Sequence, residues 1–408
     1  MTFDPQAATQ AYIDSLGAEA LADARAYTLG NHWLILVGLL VSALVTWLIV
    51  RSGVLDTIAA KLAKRGENLR VFVIALTYSI VSALLTLPFA IYEDWWRESQ
   101  YGLSSQPLGD FLSQGMIGLV ISSVIAGVFA LGVYWLIRKA GKLWWAWAGG
   151  LVAGLSSFML LLSPVVIEPL FNEYTPVPEG EVRDAILEMA EEAGIPEDRI
   201  FVYDGSRQSN NFTANVSGIG GSARIAISDV ALGDASLDEV KAVTGHEIGH
   251  YVLGHVFRMI VVISVLAVLV FFLCARTYDW FARKFGTDAA LSDPRGLPVL
   301  LFAFGFFFTL AQPVMNNLIR IGEIEADQYS LDTVGLPDGL SSALIKTAEY
   351  RYPQAGPIEE FIFYTHPTVE NRVRTAMEWK AANMPITPSA EPIAEPGVED
   401  GAEATSSE

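Results

Sequence analysis

Long apolar stretches and polar ones alternate along this chain. The apolar runs are Trp33–Val50, Val71–Tyr92, Met116–Ile137, Leu143–Ile167, Val256–Ala275 and Leu297–Met315. Each approaches or exceeds the roughly 20 apolar residues with which a helix crosses a hydrocarbon core about 30 Å thick. One such run would fit a buried helix of a large soluble protein. Six predict a mainly α, polytopic membrane protein. The first run follows a polar, acidic segment with no small-residue cleavage site after it, so a span is expected there, not a cleaved signal.

Between the fourth and fifth runs the pattern becomes that of a small α+β domain. Glu181–Ala193 has helical spacing and is stopped by Gly194-Ile195-Pro196. Arg199–Tyr203 and Ala223–Ser228 alternate like short strands, with Gly218, Gly220 and Gly221 supplying the turn between them. A helix is expected from Ser236 onward and further helices over Asn316–Thr333, Leu340–Glu349 and Thr368–Ala382. The resulting division is an exposed lead-in over 1–30, four spans over 31–168, and a catalytic region over 169–383 that includes spans 256–275 and 297–315. An acidic tail over 384–408, rich in Pro, Ala, Glu and Ser, is expected to be disordered.

Composition narrows the picture. A mean hydropathy of +0.38 over 408 residues is too apolar for an ordinary soluble enzyme. The net charge of −19 argues against nucleic acid as a partner. Cys274 is the only cysteine, which excludes an intramolecular disulfide and a cysteine-built metal site.

The chemistry is carried by His246-Glu247-Ile248-Gly249-His250. Residues four apart on a helix lie about 40° apart around its axis, so the two imidazoles face one way and can share a zinc ion. Glu247 can then accept a proton from water in the open coordination position. Such a string also occurs by chance. A second motif, Glu323-Ile324-Glu325-Ala326-Asp327, raises its weight. Glu323 and Asp327 project from one helix face, Glu323 as a third ligand and Asp327 as the partner that orients a ligand histidine. The plain alternative is a solvated acidic turn in which Glu325 is an equal participant.

Together these motifs resemble those of the type I CAAX prenyl endopeptidases, membrane zinc proteases of the gluzincin kind. The resemblance extends to Leu87-Pro88-Phe89-Ala90-Ile91-Tyr92, to Pro169-Leu170-Phe171-Asn172 with Thr175-Pro176-Val177-Pro178-Glu179-Gly180, to Asn316 and Arg320, and to His366-Pro367 with Arg372. It implies one zinc per chain held by His246, His250 and Glu323, with Glu247 as base and acid. Asp327 and Asn316 would support the ligands, while His366 and Arg372 would hold the substrate carbonyl. The family's substrate-pairing strand is rewritten here as Phe212-Thr213-Ala214-Asn215-Val216-Ser217-Gly218, which leaves Ala214 and Asn215 as its candidates. The resemblance further implies spans that form a chamber, and peptide or protein substrates, lipid-modified ones included. His255, turned about 140° away from His250 on the helix, would miss the metal and is expected at the membrane interface or in a supporting place behind the ligands.

A membrane-protein quality-control protease of the HtpX-like kind is the nearer alternative for an alanine-rich, cysteine-poor chain of bacterial character, set in an inner membrane. A non-catalytic chamber that binds lipid-peptides is the alternative from another class. Basic residues at Arg51–Arg70, Arg138–Lys142 and Arg276–Arg295 place those loops in the cytoplasm by the positive-inside rule, with the catalytic lobe opposite. The resemblance implies a cytosolic lobe instead.

Overall fold

The computed structural model describes residues 3–211, 213–218 and 223–385. Its first half is helical: α1 (Pro5–Asp14), α2 (Gly17–Ser52), α3 (Val54–Lys61), α4 (Glu67–Ala90), α5 (Arg97–Gln100), α6 (Leu108–Ala140) and α7 (Trp144–Leu162). Then come β1 (Tyr174–Pro176), α8 (Glu181–Glu192), β2 (Ile200–Tyr203), β3 (Ala214–Ser217), β4 (Arg224–Ser228), α9 (Asp229–Asp234) and α10 (Leu237–Val252). The chain closes with α11 (His255–Phe285), α12 (Leu297–Val334), α13 (Pro337–Lys346), α14 (Pro357–Phe363) and α15 (Val369–Asn383).

Among the described residues, five uninterrupted helical stretches are long and apolar enough to cross a membrane, against the six expected. The difference lies in Leu108–Leu170, one stretch of 63 residues. At Gly141 (φ 54°) it folds back, and α7 returns along α6. The apolar helices α2, α4, α6, α7, α11 and α12 form a closed ring, each against its neighbours and α12 against α2. Close crossings use small residues: a Cβ on Gly149 of α7 would lie 2.3 Å from Val268 and 2.9 Å from the Ser264 carbonyl of α11.

The largest buried cluster of the ring gathers toward one end. It draws on Val71 and Ala75 at the start of α4, Ala130–Ile137 at the end of α6, Trp144 and Ala148 on α7, Ala267–Phe285 on α11 and Leu297–Ala303 on α12. Toward the other end, where α11 begins and α12 leaves the apolar run, large side chains such as Leu84, Val120, Phe158, Val261 and Leu310 are exposed.

That lobe is built on a four-stranded sheet in the order β1-β2-β4-β3, with β2 and β4 parallel and the outer pairs antiparallel. β2 and β4 match the two strands expected, while β1 is additional. Gly218 follows β3 at φ 89°; Gly220 and Gly221 of the expected turn lie outside the described residues. Ile186, Ile200, Ile225, Ile227, Val240 and Ile248 form the core between the sheet, α8 and α10. The exposed lead-in expected over 1–30 is corrected. Ile13 of α1 is 1 % exposed in a cluster with α13 and α15, and residues from Gly17 on are the first turns of α2. The period of α1 had no span-like length to reveal this docking. In the tail, residues 386–408 lie outside those described.

Candidate metal centre

Two helices bring the motifs together. Ser236 caps α10 and forms a capping box with Glu239, as the sequence suggests. Glu239 also accepts from Ser342 (2.6 Å) and Lys346 (2.9 Å), which ties α10 to α13. On the other side α10 lies against α12, where the Ser330 hydroxyl donates to the Ala242 carbonyl (2.7 Å). A Cβ on Gly249 would lie 3.1 Å from Tyr329 Cβ, and one on Gly245 would lie 2.5 Å from Val334 Cγ2. The glycines preceding the two histidines thus allow the approach that lets Glu323 reach them. Their i, i+4 spacing is a helix-contact signal that the motif reading passed over.

At the contact, His246 Nε2 lies 3.1 Å from His250 Nε2 and 3.3 Å from Glu323 Oε2. His250 Nε2 lies 3.4 Å from Glu323 Oε1. Donor atoms 2.0–2.1 Å from a tetrahedral zinc sit about 3.4 Å from one another, so the spacing fits such an ion. The fit is supported by Glu323 Oε2, which is buried yet has no hydrogen-bond partner. An orphaned carboxylate oxygen facing imidazole nitrogens is costly unless a cation satisfies it.

Around these three, the structure sorts the remaining candidates. Asp327 Oδ1 meets His246 Nδ1 at 2.9 Å. Arg372 donates to both Asp327 oxygens (2.7 and 2.6 Å), a buried bidentate pair. Its guanidinium thereby holds Asp327, and Arg372 also lines the cavity beside His246. The Asn316 amide donates to the Ile362 carbonyl (2.8 Å). Arg320 donates to the Glu360 and Tyr364 carbonyls (2.5 and 2.7 Å), so both residues hold the segment that leads to His366. His366 Nε2 comes to 3.1 Å from Glu323 Oε2, and its Nδ1 faces the Thr365 hydroxyl (2.9 Å).

Electrostatics separates the titrating groups. Burial works to lower the His246 imidazole, but the hydrogen bond to Asp327 and the nearby Glu323 carboxylate outweigh it and lift the ring to about 9. Burial takes His366 down to about 4, so it is a neutral donor near pH 7. Desolvation pushes the Glu247 carboxyl above its ordinary range. A cavity of about 230 Å³ is lined by Glu247, His246, His366 and Arg372 with Thr213 and Ala214. β3 is an edge strand beside it, pairing only with β4 among the described residues. Ser228 N–H bonds the Thr213 carbonyl (2.9 Å), so by antiparallel alternation the backbone groups of Ala214 and Val216 point to the open edge. Asn215 sits between them, its side-chain oxygen buried without a partner.

His255 stays outside the His246-His250-Glu323 group, as expected, and stands beside one of its rings. α10 ends at Val252 and α11 begins at His255, with Gly254 at φ 67° between them. The break swings His255 back until its Nδ1 lies 2.8 Å from His250 Nδ1.

A ring of apolar helices joined to a His-His-Glu site with an adjacent carboxylate marks a membrane metallopeptidase. The chain belongs to peptidase family M48, whose model matches residues 176–380. A second model, described as CAAX prenyl protease N-terminal, five membrane helices, matches residues 5–173. The chain is 29% identical to the uncharacterized metalloprotease YhfN of Bacillus subtilis, over 73% of this chain and 71% of that one. It is 26% identical to the CAAX prenyl protease 1 homolog of Arabidopsis thaliana (89% and 88% covered) and 28% identical to CAAX prenyl protease 1 of Saccharomyces cerevisiae (74% and 70%). The crystal structure of S. mikatae Ste24p shares the fold, with a TM-score of 0.67 at 21% identity, covering 91% of this chain and 95% of that chain. The protein is accordingly a multi-pass membrane metalloendopeptidase.

Proposed function

We propose that the chain hydrolyses peptide bonds with one zinc ion held by His246, His250 and Glu323. The observation that carries this reading is the tetrahedral spacing of those three donor groups, one of which, His246, lines a cavity together with Glu247. When bound, zinc would acidify a coordinated water and polarise the scissile carbonyl. Glu247, its affinity for protons raised by desolvation, takes a proton from the attacking water and hands it to the leaving amine. His366, neutral and half-buried, donates to the carbonyl oxygen as charge develops there. Asp327 fixes the His246 ring, and Arg372 fixes Asp327. An extended substrate adds to the open edge of β3 at Ala214, with Asn215 as its neighbour.

Lipid-modified peptides are proposed as a substrate class, because apolar side chains such as Val261 and Leu310 are exposed on the two helices that run into the catalytic lobe. A bacterial inner membrane is proposed as the setting. The test is zinc content and cleavage of an internally quenched peptide by the purified protein, with and without a prenylated cysteine, beside Glu247→Gln. Loss of cleavage with retained zinc in that variant is expected. Equal cleavage by both proteins would overturn the assignment, and equal rates on both peptides would remove the lipid preference.

A further inference from the structure

The two ligand histidines are supported differently. His246 turns its Nδ1 directly to a carboxylate, Asp327. His250 turns its Nδ1 to another imidazole, that of His255, at 2.8 Å. His255 is 7% exposed, and its Nε2 lies 2.9 Å from Glu325 Oε2. Arg258 Nη1 donates to the same oxygen at 2.7 Å. None of these three residues belongs to the ligand set or to the cavity wall described above.

Resting on the metal reading of the site, one proton arrangement is self-consistent. With His250 Nε2 facing the ion, the proton of that ring sits on Nδ1 and is donated to His255 Nδ1. His255 then accepts there and carries its own proton on Nε2, which it donates to Glu325. The alternative tautomer of His255 would set two N–H groups against each other at 2.8 Å and leave the Glu325 carboxylate facing a bare nitrogen. We infer that His255 and Glu325 form a positioning relay for His250, an imidazole-imidazole-carboxylate chain that holds the second ligand ring in its metal-binding tautomer and raises its basicity.

Local structure is consistent with a built feature. Gly254 breaks the helix at φ 67°, which no β-carbon-bearing residue adopts readily, and so returns His255 to His250. Opposite it on α12, a Cβ on Gly322 would lie 3.4 Å from His255 Nδ1 and 3.0 Å from Arg258 Nη2, so the relay packs directly on the α12 backbone there. A histidine buried merely to fill space needs neither a ligand partner on one nitrogen nor a carboxylate on the other.

The experiment uses full-length protein in detergent, stripped of metal and titrated with zinc against a chromophoric chelator. The thermal midpoint of the chelated form serves as the folding control. Outer partners of metal ligands typically contribute about 10- to 100-fold in affinity, and His255→Leu is expected to lose that much. Glu325→Ala should lose a smaller factor, and Glu325→Gln, which keeps an acceptor oxygen, should recover part of it. In the His255→Leu background, Glu325→Ala should have no further effect, because its route to the ligand is gone. Wild-type affinity in His255→Leu, or an undiminished Glu325→Ala loss in that background, would overturn the relay. If His255→Leu does not fold, Glu325→Ala decides alone, and unchanged affinity overturns the inference. A wild-type protein that takes up no zinc would instead refute the metal reading itself, and the relay with it.

Discussion

Gly249→Ala isolates the approach of α10 to α12 from the chemistry of the ligands. The added Cβ would sit 3.1 Å from Tyr329 Cβ and Cδ1 and 3.2 Å from Cγ, where carbon atoms prefer about 3.5–4.0 Å. Tyr329 Cβ is fixed to its backbone, so no rotamer change relieves the contact and α12 must retreat by about 0.4 Å or more. Tyr329 lies on the same helix as Glu323 and Asp327, which move with it. Alanine favours a helix over glycine by about 1 kcal/mol, and overpacking costs about 1–3 kcal/mol, so the net loss of stability is at most about 2 kcal/mol. The protein should therefore stay folded while its ligand spacing opens. Since a 1 Å misplacement costs about 100-fold, a shift of this size should weaken zinc binding and peptide cleavage by about 10-fold. Zinc competition, hydrolysis of a quenched peptide at saturating zinc and thermal unfolding in chelator would measure the three effects. A variant that unfolds at a higher temperature than wild type, with unchanged zinc affinity and rate, would refute the idea that glycine sets this helix contact.

Other consequences follow from the same geometry. His366→Ala should lower kcat by about 100-fold or more while zinc content is unchanged, because the ring acts on the carbonyl oxygen and not on the metal; co-purified zinc and steady-state kinetics separate the two. Arg372→Met leaves Asp327 buried beside His246 without its cation, and loss of one partner from such a pair costs about 3–5 kcal/mol. The Asp327→Asn, Arg372→Met double variant should recover part of this in chemical denaturation, and additive losses would contradict the coupling. Zinc must displace the proton that His246 holds up to about 9, so affinity should rise with pH toward that value and level off above it, with proton release visible in calorimetry across buffers of different ionisation enthalpy. The linkage has the opposite sign for metal-free protein. A ring raised from 6.5 to about 9 stabilises the fold fully below pH 6.5 and loses that contribution as pH rises through 9, so the chelated protein should melt lower at pH 9 than at pH 6.5.

Hydropathy located the apolar helices, and motif spacing located His246, His250 and Glu323, because both depend on periodicity within single helices. Resemblance to a family added His366 and the strand at Ala214, since their relation to the metal spans elements far apart in the chain. What periodicity could not supply were relations between helices. The fold-back at Gly141, the docking of α1 on α13 and α15, and the turn of Arg372 toward Asp327 all depend on partners distant in sequence. His255 shows the limit most sharply. An unbroken helix would turn its ring away from His250, and one glycine at positive φ sets it against that ring instead, still outside the ligand group. Local sequence therefore determined which side chains could bind a metal and which segments could enter a bilayer. Tertiary structure decided how closely α10 and α12 approach, and with it whether those side chains meet, because that distance is set by packing between surfaces that no single helix contains.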